Sequence, residues 1–164
     1  MRRLGDDLTR AIDFFDCVRD ASQDIDRCNR QLRELEQRMR SLGGGSGGGQ
    51  RVRSTPGHDR MERRVASYVD RERALERRMD ADYDLIGRAH VVLYGDGERR
   101  GIDSLASPVW ADVLYWRYID GSDWSRVARA VGYSVRPCQM FRDRAMSWVD
   151  ENRFMSGVID SVNL

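Results

Sequence analysis

Lysine is absent from the 164 residues: all 28 basic side chains are arginine. They stand against 27 Asp and Glu, for a formal net charge of +1. A balance that close excludes a histone-like blanket coat for nucleic acid but leaves room for a local basic patch. The all-arginine bias fits a GC-rich genome. Cys17, Cys28 and Cys138 are too few and too scattered for a disulfide framework or a zinc site. No apolar run approaches the ~20 residues that a membrane span needs. The opening residues, MRRLGDDLTR, lack the apolar stretch of a secretory signal. A soluble, intracellular protein with reduced thiols is expected.

The histidines are His58 and His90, with no Cys/His pair and no metal-ligand spacing. The glycine tract follows no strand and precedes no lysine, so it is no nucleotide loop. An enzyme is the least expected class, and neither cofactor, metal nor small-molecule substrate is expected. The three prolines, Pro56, Pro108 and Pro137, each fall where a helix can begin. Charged residues make up 34% of the chain, above the typical ~25%. That excess suits long, solvated helices.

The expected fold is all-α. Residues 4–42 read as one long helix, in which Leu4, Ala11, Val18, Ile25, Leu32 and Met39 repeat every seven residues. A second row, taken four residues on, runs Leu8, Phe15, Ser22, Asn29, Glu36 and turns polar. Asn29 in that row either fixes register or marks a fraying helix. Residues 43–55 hold six glycines in seven positions, a backbone too permissive for a helix, and read as a flexible natural hinge. Residues 56–94 read as a second long helix, its seam running through Met61, Val65, Tyr68, Leu75, Met79, Ile86, Ala89 and Leu93, with Glu72 and Asp82 as polar interruptions. The two long helices could form a hairpin within one chain or a coiled coil between two copies. The Arg, Asp and Glu around them read as a solvated face.

After a turn at 95–101 the texture changes, with frequent Trp, Tyr and Val and short helices. A compact unit over 102–153 is expected, followed by a tail, 154–164. Pro108 opens a helix that Gly121 ends. Ser122 or Asp123 can cap a second, Trp124 to Val131, which Gly132 ends in the left-handed position. Ser134 can cap a third, from Val135 to about Asn152. Val127, Ala128, Val131, Gly132, Tyr133, Cys138 and Phe141 carry the packing pattern of a helix-turn-helix: a small residue at the crossing, glycine at the turn, apolar residues toward the first helix. An ordinary three-helix bundle would satisfy the same burial.

In a helix-turn-helix, the third helix would read DNA. Its buried side would be Cys138, Phe141, Ala145 and Trp148 or Val149. Its base-facing side would be Val135, Arg136, Gln139, Met140 and Asp143: arginine can fork onto guanine, glutamine can pair with adenine, and methionine can touch a thymine methyl. Arg126, Arg129, Ser134, Arg142 and Arg144 are expected to meet phosphates. Between Gly121 and Trp148, five arginines face two aspartates, a local excess of positive charge in a balanced chain. The aromatics Trp110, Tyr115, Trp116, Tyr118 and Trp124 could stack bases, but their helical spacing favours a role in the core.

The run VLYWRYIDGSDWSRVARAVGYS resembles the C-terminal signature of phage-encoded transcription regulators of the RinA/ArpU type, itself similar to the helix-turn-helix of sigma-factor region four. Arg117, Tyr118, Ile119, Gly121, Trp124, Val127, Ala128, Gly132, Tyr133 and Ser134 match that pattern. With the glycine-rich stretch, Asp59 and the helix that follows, the likeness covers about residues 43–153. Pro137, Cys138, Met140 and Arg142 depart from it, which leaves the sequence preference open. The resemblance implies double-stranded DNA as partner, control of phage late or packaging genes, and the cytoplasm of a bacterial host. A homodimer through the long helices is expected. The competing expectations are a packaging factor of the small-terminase kind and a sigma-like adaptor that binds RNA polymerase.

Overall fold

The computed structural model describes residues 10–43 and 56–152. Leu4 and Leu8 of the expected seam, linker residues 44–55 and the tail from 153 lie outside them. The described residues are all-α: α1 (Ala11–Gly43), α2 (Pro56–Tyr94), α3 (Ile102–Leu105), α4 (Pro108–Leu114), a π-helical turn (Tyr115–Ile119), α5 (Trp124–Val131) and α6 (Val135–Glu151). Two compact units divide the chain. One holds Met1–Gln23 and Asp82–Leu164, the other Asp24–Ala81, so α1 and α2 contribute to both. The expected compact unit at 102–153 therefore also takes in the N-terminal part of α1 and the C-terminal part of α2.

The long helices pack on each other within the chain. In α1 the first expected row is borne out at Ala11, Val18 and Ile25, which are buried, while Leu32 and Met39 are half-buried. Of the second row Phe15 is buried as expected, but beyond it the covered row lies one residue earlier. Phe14, Ala21, Cys28 and Leu35 are buried, whereas Ser22 and Asn29 are half-buried and Glu36 is exposed. A helical seam alternates steps of three and four, and taking the three-residue step first turns the row apolar throughout. Asn29 is thus on the flank of the seam. The buried polar group nearby is Asp24. Its carboxylate accepts hydrogen bonds from Arg78 Nη2 at 2.7 Å and Arg27 Nη2 at 3.0 Å.

In α2 Leu75, Ala89 and Leu93 of the expected seam are buried, and Tyr68, Met79 and Ile86 are half-buried. Met61 and Val65 are exposed, and Leu85 and Val92, absent from the expected row, are buried. Between Asp24 and Ala81 the buried cluster is Cys28, Leu35 and Leu75, flanked by Leu32, Tyr68 and Met79. In the other unit, Phe14, Phe15 and Val18 of α1 and Leu85, Ala89, Val92 and Leu93 of α2 join Ile102, Leu114, Tyr118, Ala145, Met146 and Val149 in one core. More elements converge there, so a wider stripe of each helix is covered and adjacent pairs such as Val92 and Leu93 are both sealed. Two polar bonds tie α1 into this unit: the Ala11 amide donates to Asp150 Oδ1 at 2.6 Å, and the Ser22 hydroxyl donates to the Ile119 carbonyl at 2.7 Å.

The turn at 95–101 is built on Asp96, whose Oδ1 accepts from the amides of Glu98 and Arg99 at 3.2 and 2.8 Å. Gly101 sits so close to α2 that a Cβ there would lie 2.4 Å from the Leu93 carbonyl oxygen, which forbids a side chain. No helix among the described residues is long and apolar enough to cross a membrane.

Candidate nucleic-acid interface

The three helices expected after Pro108 are present, with one departure. The first is not uniformly α-helical: beyond Leu114 it widens, and the Asp120 amide donates to the Tyr115 carbonyl five residues back, at 3.0 Å. Such an insertion rotates the following side chains relative to a regular helix. Here it accompanies Arg117, whose Nη1 donates to the Ser122 carbonyl at 2.9 Å and whose guanidinium lies 4.9 Å from the Trp124 ring centroid. Gly121 then reverses the chain at φ +74°.

Asp123, rather than Ser122, caps α5: its Oδ1 accepts from the Arg126 amide at 2.8 Å. Ser122 is buried, and its hydroxyl bonds the Asp120 carboxylate instead. Gly132 ends α5 at φ +76°, a left-handed conformation that glycine adopts freely. Ser134 occupies the N-cap position of α6 with extended backbone, but its side chain makes no capping hydrogen bond.

Val113, Val127, Ala128 and Cys138 form the centre where α4, α5 and α6 meet, with Trp116, Trp124, Val131 and Phe141 packed around it. Burial raises the Cys138 thiol above its ordinary pKa, which keeps it protonated and suits a packing role. Tyr133 departs from the expected burial. It is 47% exposed, its ring standing edge-on to Phe141 at 5.2 Å. On α6, Cys138, Ala145 and Val149 are buried as expected, and Phe141 and Trp148 are half-buried. Met146 is buried too, because α6 also faces the larger core that includes α1 and α2.

The face of α6 that this packing leaves open carries most of the residues expected to meet bases. Arg136 and Asp143 are exposed, Met140 is 47% exposed and Gln139 is half-buried. At steps of three and four, these four share one helical stripe. Val135 is not among them: it is half-buried against the α4–α5–α6 cluster. Of the residues expected at phosphates, Arg126, Arg129, Ser134 and Arg144 are exposed. Arg142 is held within the domain instead. Its guanidinium lies 5.3 Å from the Trp124 ring centroid, and its Nε and Nη2 reach Asp143 Oδ1 at 2.7 and 2.6 Å. Arg117 and Trp124 thus adjoin the open face of α6 through Arg142, a connection that sequence spacing did not make. The seven-residue interval between them was visible, but the π-turn and the reversal at Gly121 were needed to bring them together.

His90 is part of an aromatic cluster, with ring centroids 6.1 Å from Tyr94 and 5.8 Å from Tyr115. Burial, reinforced by Asp112, pushes the Tyr94 phenol above its ordinary pKa. Comparison with protein-family models, curated proteins and solved structures finds no match to this chain.

Proposed function

We propose that the chain is a sequence-specific transcription regulator of phage or prophage origin, acting on late genes, that binds double-stranded DNA through the N-terminal half of α6. The observation that carries this reading is the open stripe Arg136, Gln139, Met140 and Asp143 on the helix that follows the left-handed Gly132 turn. A helix presented in this way fits the major groove, where Arg136 can fork onto guanine, Gln139 can pair with adenine and Met140 can touch a thymine methyl. Exposed Arg126, Arg129 and Arg144 suit phosphate contacts that fix register without reading sequence. The resemblance of Arg117–Ser134 to the phage regulator signature supports the same reading. A second copy of the chain is the expected protein partner, and the exposed Met61 and Val65 of α2 are apolar positions it could cover.

Selection of binding sites from random duplex DNA at moderate salt tests this function. The full chain is expected to enrich one motif, and the double variant Arg136→Ala/Gln139→Ala to lose it. An inverted repeat with half-sites about one helical turn apart identifies a two-fold dimer. Absence of enrichment by a folded chain overturns sequence-specific binding and moves the reading to a polymerase-binding adaptor or a packaging factor of the small-terminase kind.

A further inference from the structure

A carboxylate on a DNA-reading face is an unusual choice, since it is repelled by the phosphates on either side of the groove. Asp143 is such a group, with 65% of its side chain exposed on the open stripe of α6. Its surroundings answer both the repulsion and the geometry. Arg142 Nε and Nη2 converge on a single oxygen, Oδ1, at 2.7 and 2.6 Å. That pairing offsets the charge of the carboxylate locally and leaves Oδ2 without a hydrogen bond among the described residues. Arg142 is itself restrained, with 29% of its side chain exposed and its guanidinium 5.3 Å from the Trp124 ring centroid. Trp124 is in turn restrained by Arg117, 4.9 Å from the same centroid, and Arg117 is tied to the Ser122 carbonyl at 2.9 Å. The chain of contacts runs from the π-turn through the start of α5 to the open face of α6.

We infer that Asp143 is a specificity-determining residue that reads one cytosine in the major groove, with Arg142 and Trp124 as the residues that position it. This rests on the DNA-binding reading above. A fixed acceptor distinguishes the four bases by what it faces. Cytosine offers the N4 amine as donor, with no acceptor beside it on that edge. Guanine presents only acceptors, N7 and O6, thymine presents O4 and a methyl group, and adenine sets the N7 acceptor beside its N6 donor. Cytosine alone pairs with the free oxygen and opposes it with nothing. Pinning the carboxylate in advance removes the rotamer freedom that an exposed aspartate would otherwise lose on binding.

The test is the same site selection run with the full chain and with Asp143→Asn and Arg142→Met, each checked for unchanged helical content by circular dichroism. The native chain is expected to enrich a motif containing one near-invariant C·G pair. Asp143→Asn is expected to reduce the preference at that pair about ten-fold, the scale of one base mismatch, and to leave the other positions of the motif as they were. Arg142→Met is expected to weaken preference at the same pair and to lower affinity for every duplex, because the carboxylate is left free and uncompensated. A motif that Asp143→Asn leaves unchanged at every position overturns the inference while DNA reading stands. A native chain that enriches nothing overturns DNA reading and the inference with it.

Discussion

In the unit that contains α4, α5 and α6, Phe14, Phe15, Leu93, Ile102 and Leu114 are sealed from solvent, whereas the cluster between Asp24 and Ala81 is Cys28, Leu35 and Leu75. The difference is one of geometry. Two paired helices share one seam, so each covers a single stripe of the other. Where further helices converge on the same pair, adjacent positions such as Phe14 and Phe15 can both be buried. The Asp24–Ala81 unit also buries a charge, Asp24, and answers it with Arg78 and Arg27, whose side chains remain more than half exposed. Apolar burial therefore dominates one unit. The other combines a narrow seam with a polar anchor, and its ion pairs further along, Arg38–Glu34 at 3.9 Å and Arg40–Glu36 at 3.6 Å, lie on the solvated surface, where such pairs contribute little.

Substitutions can break or sharpen that contrast. Phe15→Ala is expected to have the largest effect, about 3–5 kcal/mol of lost stability, because it opens a cavity in a fully enclosed core. Leu35→Ala, in the narrow seam, is expected to cost about 2–3 kcal/mol, the lower part of the range for such truncations. Urea denaturation followed by circular dichroism measures both, and equal losses would remove the distinction between the units.

Asp24→Asn is expected to cost about 1–2 kcal/mol at neutral pH, since the arginines it releases can return to water. Burial alone would raise the Asp24 carboxyl, but hydrogen bonds from Arg78 and Arg27 outweigh it and hold the group below its ordinary pKa. A lowered carboxyl stabilises the fold above the unfolded value of about 3.9, and that contribution disappears as pH falls through the folded value. The gap between native chain and variant should thus be present at pH 7 and shrink below pH ~4. A gap that grows on acidification would show that burial, and not the arginines, governs the group.

Gly132→Ala is expected to cost about 1–2 kcal/mol in the same denaturation assay, the penalty for holding a side chain at left-handed φ, since no neighbouring atom obstructs a Cβ there. Val65→Ser is expected to change monomer stability by less than about 0.5 kcal/mol, because its exposed position contributes little to the seam.

Legibility in the sequence follows the same division. The bounds of α5 and the start of α6 were legible to the residue, because their signals are local: Asp123 before Trp124, Gly132 after Val131, Ser134 before Val135. In the long helices the period was legible and the phase only in part: Ala11, Val18 and Ile25 of α1 and Leu75, Ala89 and Leu93 of α2 are buried as expected, whereas the second row of α1 beyond Phe15 is not. The row at Ser22, Asn29 and Glu36 and the row at Ala21, Cys28 and Leu35 differ by one residue, and the partner helix decides which is covered. The same limit explains Met146 and Val135, whose burial depends on packing neighbours distant in sequence. In the candidate interface, residue types on an exposed stripe could be anticipated. The restraint of Arg142 by Trp124 could not, because it depends on how α5 crosses α6.

The most direct test of the central claim is dimethyl sulfate protection on a duplex enriched by selection. The reagent methylates guanine N7, the major-groove atom to which a forked arginine would donate. The native chain is expected to protect one guanine in each bound site, and Arg136→Ala, still folded and bound at raised concentration, to lose protection at that guanine alone. Guanines that remain fully reactive throughout the bound site would contradict the entry of α6 into the major groove.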